Sequence, residues 1–222
     1  MSRARGRLIS LEGVTGAGKS TLSDRLRQTL PLSFASGGGY RGKIASPNPF
    51  HRDQLRAIRR QVARDEFLRL DWDVECLVIQ AELLLGNGAI VAPALTRGAV
   101  VLYEHHQDSI YVYQAARLVE VDAERSVATA LKRVKRVLQP FAAAAVPAAT
   151  LYLDVDPVEA ARRAAKRDGR HLTKAAVAFN EYVHEAYDCL YSVRRRSAKV
   201  VRVRNMEEAV ATGRHLLLDR ER

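Results

Sequence analysis

Apolar residues along the chain follow two alternating rhythms. Short unbroken runs fall at Arg7-Leu8-Ile9-Ser10-Leu11-Glu12, Ala99-Val100-Val101-Leu102-Tyr103, Thr150–Val155 and Lys199–Val203. Runs of this length bounded by turn residues predict strands buried on both faces. Between them, apolar residues recur every three or four positions, the helical spacing. Leu22, Leu26 and Leu30 predict a helix over Ser20–Leu30, and Leu55, Ile58 and Val62 another from His51. Cys76, Ile79 and Leu83 predict a third over Trp72–Leu85, broken by Gly86-Asn87-Gly88. Further helices are predicted over Ser109–Val119, Ala123–Leu138, Lys174–Val193 and Glu207–Leu218. One more starts at Pro157, a residue suited to a first helical position, and runs to about Arg167. Strands alternate with helices, and neither a repeat nor a linker interrupts them. The pattern predicts one α/β domain over residues 1–222, with a parallel sheet flanked by helices.

Residues 31–50 break the rhythm. Ser33 to Tyr40 contains Gly37-Gly38-Gly39, and Ser46-Pro47-Asn48-Pro49 follows. This is loop chemistry. A loop of about 33–50 in a compact domain is either a substrate-side loop or an unstructured insert.

Composition narrows the class. A chain of 222 residues with 47% hydrophobic and 27% charged residues is ordinary for a folded domain. Disorder, collagen and a disulfide scaffold are excluded for the chain as a whole. Cys76 and Cys189 lie far apart, in no metal-ligand spacing, which fits a reduced, cytoplasmic compartment. The arginine-rich start has no apolar run of signal-peptide length. No stretch is expected to reach the roughly 18 apolar residues of a membrane helix. The net charge of +11 would attract anions such as nucleotides or nucleic acid. A genome that encodes Arg and Ala freely gives the same excess. No basic stretch interleaved with aromatics stands out, so no specific nucleic-acid partner is expected.

The strongest chemical signal is Gly13-Val14-Thr15-Gly16-Ala17-Gly18-Lys19-Ser20, which fits GxxxxGK[ST] between a strand and a helix. Glycines let backbone N–H groups turn inward around phosphate oxygens. Lys19 offers a point charge to the terminal phosphates, and the Ser20 hydroxyl is a ligand for Mg²⁺. The following helix aims its N-terminus at the same phosphates. The motif makes the fold a three-layer P-loop NTPase fold and implies ATP and Mg²⁺. No Asn-Lys-x-Asp is present to read a guanine base, and the chain is short for a motor ATPase. A kinase for a small acceptor remains.

Glu104 ends a predicted strand, where ligands meet open α/β sheets. A carboxylate there holds Mg²⁺ through water or accepts a proton from an attacking hydroxyl. His105 and His106 follow and are candidates for acceptor contact; on an extended chain their side chains point opposite ways, against shared metal ligation. Asp108 stands one helical turn beyond, as a substrate contact or as a helix N-cap. Arg162, Arg163, Lys166, Arg167 and Arg170 form a basic run in a prospective lid over 162–174. Phosphoryl transfer spreads negative charge, which arginines stabilise. Arg163, Arg167 and Arg170 share helical spacings and are selected as catalytic.

Four segments in order resemble the thymidylate-kinase-like family of P-loop kinases. They are Leu11-Glu12-Gly13 through Ser20-Thr21, Pro93 through Val101, Asp108-Ser109 with Tyr113-Gln114, and Leu151 through Pro157 with Arg162, Arg163 and Arg167. The resemblance implies ATP contacts from Gly13, Thr15, Gly16, Ala17, Gly18, Lys19, Ser20 and Thr21, with Asn205 near the adenine. It implies a homodimer. It also implies that Tyr113 and Gln114 stack on and hydrogen-bond a base, with His105 and Asp108 beside them. Deoxynucleoside kinases, on the same fold, carry Glu-Arg-Ser at a place similar to Glu104.

The departures fall on the acceptor side. The family's acidic residue at the third loop position is Thr15 here. Its Asp-Arg after the third strand is Glu104-His105, and that arginine normally engages the acceptor's phosphate. The Arg-Glu-Pro-Gly-Gly segment after its second strand is replaced by the glycines around Gly37–Gly39. The base-contacting arginine has no clear counterpart. The expectation is an ATP-dependent kinase whose donor half is intact and whose acceptor is a nucleoside, a nucleotide or another hydroxyl compound. The alternatives are an ordinary thymidylate kinase and a nucleic-acid-binding ATPase.

Overall fold

The computed structural model describes residues 6–30, 34–38, 48–64, 70–122, 126–142, 145–193 and 199–218. Its sheet has five strands, β1 (Arg7–Glu12), β2 (Phe34–Gly38), β3 (Val100–Glu104), β4 (Ala149–Leu153) and β5 (Lys199–Val203), in the order β2-β3-β1-β4-β5. Every pairing is parallel. All strands therefore end on the same edge, the edge where ligands meet open parallel sheets. Glu12 and Glu104 stand on that edge at the ends of β1 and β3, and Asp154 follows the end of β4.

The central strands are apolar on both faces because helices cover both. Leu8, Ile9, Leu11, Val101, Leu102 and Leu151 are almost wholly shielded from solvent. On one side α1 (Lys19–Thr29) packs with α9 (Met206–Leu218). Gly213 makes that contact close: a Cβ there would lie 2.9 Å from the Leu26 methyls. The other layer joins α3 (Trp72–Gly86), α5 (Gln107–Asp122), α6 (Val127–Leu138) and α8 (Lys174–Val193). α7 (Pro157–Arg167) lies against α8, and α2 (Pro49–Arg64) against α3. Together these make the three-layer α/β arrangement of a P-loop NTPase. Helix starts follow local rules. Asp156 accepts from the Glu159 amide at 2.8 Å, with Pro157 at the first helical position of α7.

The structure corrects the sequence reading in three places. First, β2 lies inside the stretch read as loop. Ser36, Gly37 and Gly38 have poor strand propensity, but β3 supplies a ladder from Phe34–Val100 to Gly38–Glu104. Residues 39–47 of that loop lie outside the described residues.

Second, Gly86-Asn87-Gly88 does not end a helix. α3 continues through a π-helical turn (Asn87–Val91) into α4 (Ala92–Thr96). Each helical glycine costs about 1 kcal/mol relative to alanine. Burial of Leu83, Val91 and Ala94 on the core outweighs this.

Third, the continuous helix Trp72–Thr96, 25 residues long, contains an 18-residue stretch with a mean hydropathy of 1.6 and is by length and composition apolar enough to cross a membrane. No such run was expected, because the glycines hid its length. Half of that stretch is buried inside the protein. Glu75, Gln80 and Glu82 are buried along it, and α5 packs against it, as in a core helix.

Candidate active site

The loop from Gly13 to Gly18 leaves β1 and turns into α1. Gly13, Gly16 and Gly18 have φ of 145°, 89° and 100°, a region that side chains rarely adopt. A Cβ on Gly16 would meet the Ala160 carbonyl oxygen at 2.0 Å, and one on Gly13 the Leu153 carbonyl at 2.9 Å. The loop is thus pressed onto α7 and the end of β4, with no room for side chains at either point. Ala17 is buried, whereas Thr21 is exposed on the first turn of α1. Asn205 caps α9 by accepting from the Glu208 amide at 2.8 Å. Its neighbour Met206 brings its methyl to 3.0 Å from a Cβ built on Gly18, so the Asn205 turn abuts the loop.

Lys19 is buried: only 5% of its surface is accessible. Its Nζ donates to the carbonyls of Gly13 (2.6 Å) and Val14 (2.9 Å). Burial pulls its pKa down to about 8; the charges of Glu12 and Glu104 oppose the shift, and Arg167 adds to it. The lysine is held by the loop whose anion it would meet.

Glu104 lies where it was expected, at the end of β3, and it meets the loop. Ser20 Oγ donates to Glu104 Oε2 at 2.7 Å. The next residue, His105, takes φ 59°, the only positive value on a non-glycine residue among those described. Such a backbone costs on the order of 1–3 kcal/mol and points to a functional constraint. The chain is therefore not extended there, but the rings still diverge. His105 lies edge-on to Tyr113, 5.5 Å between centroids, and His106 edge-on to Tyr103 at 5.0 Å. His106 is buried, its Nε2 has no hydrogen-bond partner, and burial pulls its pKa down to about 4.

Among the residues read as acceptor contacts, Tyr113 OH lies 3.1 Å from Thr15 Oγ1 and donates to the Gly13 carbonyl at 3.3 Å. Asn180 of α8, not singled out from sequence, donates to the carbonyls of Thr15 (3.1 Å) and Pro157 (3.3 Å). Gln114 is turned away onto α3: its Nε2 donates to Glu75 at 3.1 Å and its Oε1 accepts from Cys76 Sγ at 3.4 Å. Asp108 is buried in the first turn of α5 and accepts from Tyr191 OH at 3.3 Å. Asp108 therefore lies inside α5, which starts at Gln107, rather than capping it from the position before the helix.

The arginines of α7 and its exit, read from sequence as a prospective lid, are exposed. Arg162 and Arg163 both pair with Glu159, the latter at 2.8 Å, and Arg167 pairs with Asp168 at 2.9 Å. Arg170 lies just beyond α7, also exposed. Exposed pairs of this kind are worth about 0–1 kcal/mol, so an anion can take these arginines over.

The sequence reading named Glu12 only as part of a motif. Its carboxylate is wholly buried and collects the Ser10 and Ser109 hydroxyls, the Tyr187 hydroxyl at 2.9 Å and the His106 amide at 3.1 Å. Burial, and then the nearby Asp108 charge, push its pKa up to about 7. Only the acidic residue before the first loop glycine signalled it in sequence.

The family model for thymidylate kinase matches residues 11–213. The probable thymidylate kinase of Natronomonas pharaonis is 31% identical over 196 residues, 87% of this chain and 83% of that protein. That of Halobacterium salinarum is 31% identical over 156 residues, 70% of this chain and 69% of its own. The thymidylate kinase of Bacillus pumilus is 28% identical over 190 residues, 83% and 82% of the two chains. The match extends from the P-loop strand through α7 and α8 into α9, and so the chain belongs to the thymidylate kinase family.

Proposed function

We propose that the protein is an ATP-dependent kinase that transfers the γ-phosphoryl group to a small-molecule acceptor: a nucleoside, a nucleotide or another hydroxyl compound. The observation that carries this reading is the Ser20–Glu104 contact at 2.7 Å. It joins the hydroxyl of a phosphate-binding motif to a carboxylate at a strand end, a donor set of hard oxygens suited to Mg²⁺ with water. The left-handed glycines and Lys19 suit the phosphates of ATP. Bound Mg²⁺ would neutralise charge on the phosphates.

This chain's own residues do the rest. Gly13, Thr15, Gly16, Ala17, Gly18 and Thr21 shape the phosphate cradle, and Asn205 borders the adenine. Arg163 and Arg167 exchange their surface partners for the transferring group, and Arg170 joins them. Glu104 orients the attacking oxygen or the metal's water. His105 and Tyr113 face the acceptor, while Asp108 and Gln114 fix α5 from behind. The assembly in this reading is a homodimer, and neither a membrane nor a specific nucleic acid takes part.

A second reading, an ordinary thymidylate kinase, is favoured by the names of the relatives. Thr15 and His105 stand against it, because neither carries the charge that the family's residues bring to the acceptor. The test is purified protein with Mg²⁺ and ATP against a panel of nucleosides, nucleotides and sugars, with products identified by mass spectrometry. Phosphorylation of one acceptor is expected. ATP turnover that responds only to DNA, with salt sensitivity, would sink the kinase reading in favour of a nucleic-acid-dependent ATPase.

A further inference from the structure

The ladder between β1 and β3 runs in register from Arg7–Val100 to Leu11–Glu104. One more backbone bond follows, from the His105 amide to the Leu11 carbonyl at 3.4 Å. There the chain leaves the sheet, with His105 at φ 59°. The next amide, that of His106, has no strand opposite it. It donates instead to Glu12 Oε1 at 3.1 Å. The side chain of Glu12 thus takes the place of the missing strand partner.

The same carboxylate reaches further. Ser109 Oγ, in the first turn of α5, and Tyr187 OH, on α8, both donate to Oε2, the latter at 2.9 Å. Ser109 and Tyr187 also touch each other at 2.9 Å. Ser10 Oγ donates to Oε1. Four donors converge on two oxygens, a demand that a carboxylate meets and a carboxamide, with one oxygen and one donor nitrogen, does not. An apolar side chain would fill the space without the desolvation cost of a buried carboxyl. The residue type is therefore set by the donors it organises.

These contacts bracket the proposed metal side of the site. The end of β3 is held twice, by Ser20 of α1 on Glu104 and by Glu12 of β1 on His106. We propose that Glu12 is a positioning residue for phosphoryl transfer: it clamps the turn Glu104–His106 to the P-loop strand and so keeps the Glu104 carboxylate on Ser20. The inference rests on the reading of Ser20 and Glu104 as the Mg²⁺ side of the site. Loosening the clamp moves Glu104 while leaving the loop glycines in place. Metal use and turnover then suffer, and ATP affinity without Mg²⁺ does not.

The experiment uses the full chain as Glu12→Gln and Glu12→Ala, with Glu104→Gln and the double variant Glu12→Gln/Glu104→Gln. Glu12→Gln keeps the volume and serves where Glu12→Ala does not fold. Amide exchange of His106, read by NMR, should accelerate at least tenfold in a Glu12 variant while that of Leu11 holds. The Mg²⁺ concentration for half-maximal activity should rise at least tenfold, with KM for ATP within threefold. In the Glu104→Gln background, adding Glu12→Gln should cost less than threefold in turnover. Unchanged Mg²⁺ dependence with unchanged His106 exchange, or full additivity in the double variant, overturns the proposal. If the wild-type chain phosphorylates no acceptor, the kinase reading has failed by itself. The Mg²⁺ dependence of ATP binding by calorimetry then replaces turnover, under the same tenfold criterion.

Discussion

Ser20 and Glu104, separated by 84 positions in the chain, meet with Oγ 2.7 Å from Oε2. One stands in the first turn of the helix after the phosphate loop and the other ends the neighbouring strand. In the proposed function this contact is the metal side of the site. Glu104→Gln keeps the shape and removes the charge. Turnover should fall roughly 10²-fold or more, the scale of general-base or metal-water positioning. ATP affinity without Mg²⁺ should stay within threefold, by calorimetry. An unaltered kcat would return Glu104 to a strand-end residue.

Lys19→Ala removes a buried ammonium whose partners are two loop carbonyls. Transfer should drop by ~10²–10³-fold, the cost of losing one positioned charge at the reacting group. The fold should persist, because carbonyls freed at the loop can turn to water. Circular dichroism and kcat on the same sample check both halves. A variant that folds and works at near the wild-type rate removes the loop from the donor site.

Gly16→Ala puts a methyl group 2.0 Å from the Ala160 carbonyl oxygen at a φ of 89°. The loop must shift away from α7. Stability should fall by about 1–3 kcal/mol, and ATP should bind at least tenfold more weakly. Urea unfolding beside ATP titration tests this; tight ATP binding by the variant would show that the loop conformation is not the one that holds phosphate.

dTMP should be a poor acceptor. The charged groups that the family brings to it are replaced by Thr15, bonded to Tyr113, and by His105, stacked edge-on to the same ring. A charge-assisted hydrogen bond is worth about 1.5–3 kcal/mol, so losing one costs roughly ten- to a hundredfold. The overall charge of +11 steers anions but does not orient them. Steady-state kinetics decide: kcat/KM for dTMP at or above about 10⁴ M⁻¹s⁻¹ establishes the ordinary thymidylate kinase.

Two buried groups make stability depend on pH in opposite senses. His106 is pulled from 6.5 down to about 4, so between those values the unfolded chain binds a proton that the folded one does not. Its contribution rises with pH across that window. Glu12 is pushed from 4.5 up to about 7, so there the folded chain binds the extra proton and its contribution falls as pH rises. In urea titrations, the stability of wild type minus His106→Phe should climb from about pH 4 to 6.5. That of wild type minus Glu12→Gln should decline from about 4.5 to 7. Each slope is at most about 1.4 kcal/mol per pH unit. Differences flat with pH would mean that neither group changes its affinity for protons on folding.

The sequence by itself determined the alternation of strands and helices, the phosphate loop and the family. These rest on local rules: apolar spacing, glycines at a tight turn, and proline at a helix start. β1, α7, α8 and β5 begin and end as their residues predict. The tertiary structure alone decided what depends on distant partners. β2 is a strand because β3 offers it a ladder, although its glycines argue against one. The helix from Trp72 outlasts its glycines because the core covers it. Asp108 and Gln114, candidate substrate contacts in one dimension, hydrogen-bond to Tyr191 and Glu75. Glu12 became a hub only when α5 and α8 brought Ser109 and Tyr187 to it from 97 and 175 positions away. Local propensity acts through neighbours in the chain, whereas burial and hydrogen-bond convergence act through neighbours in space, which only folding supplies.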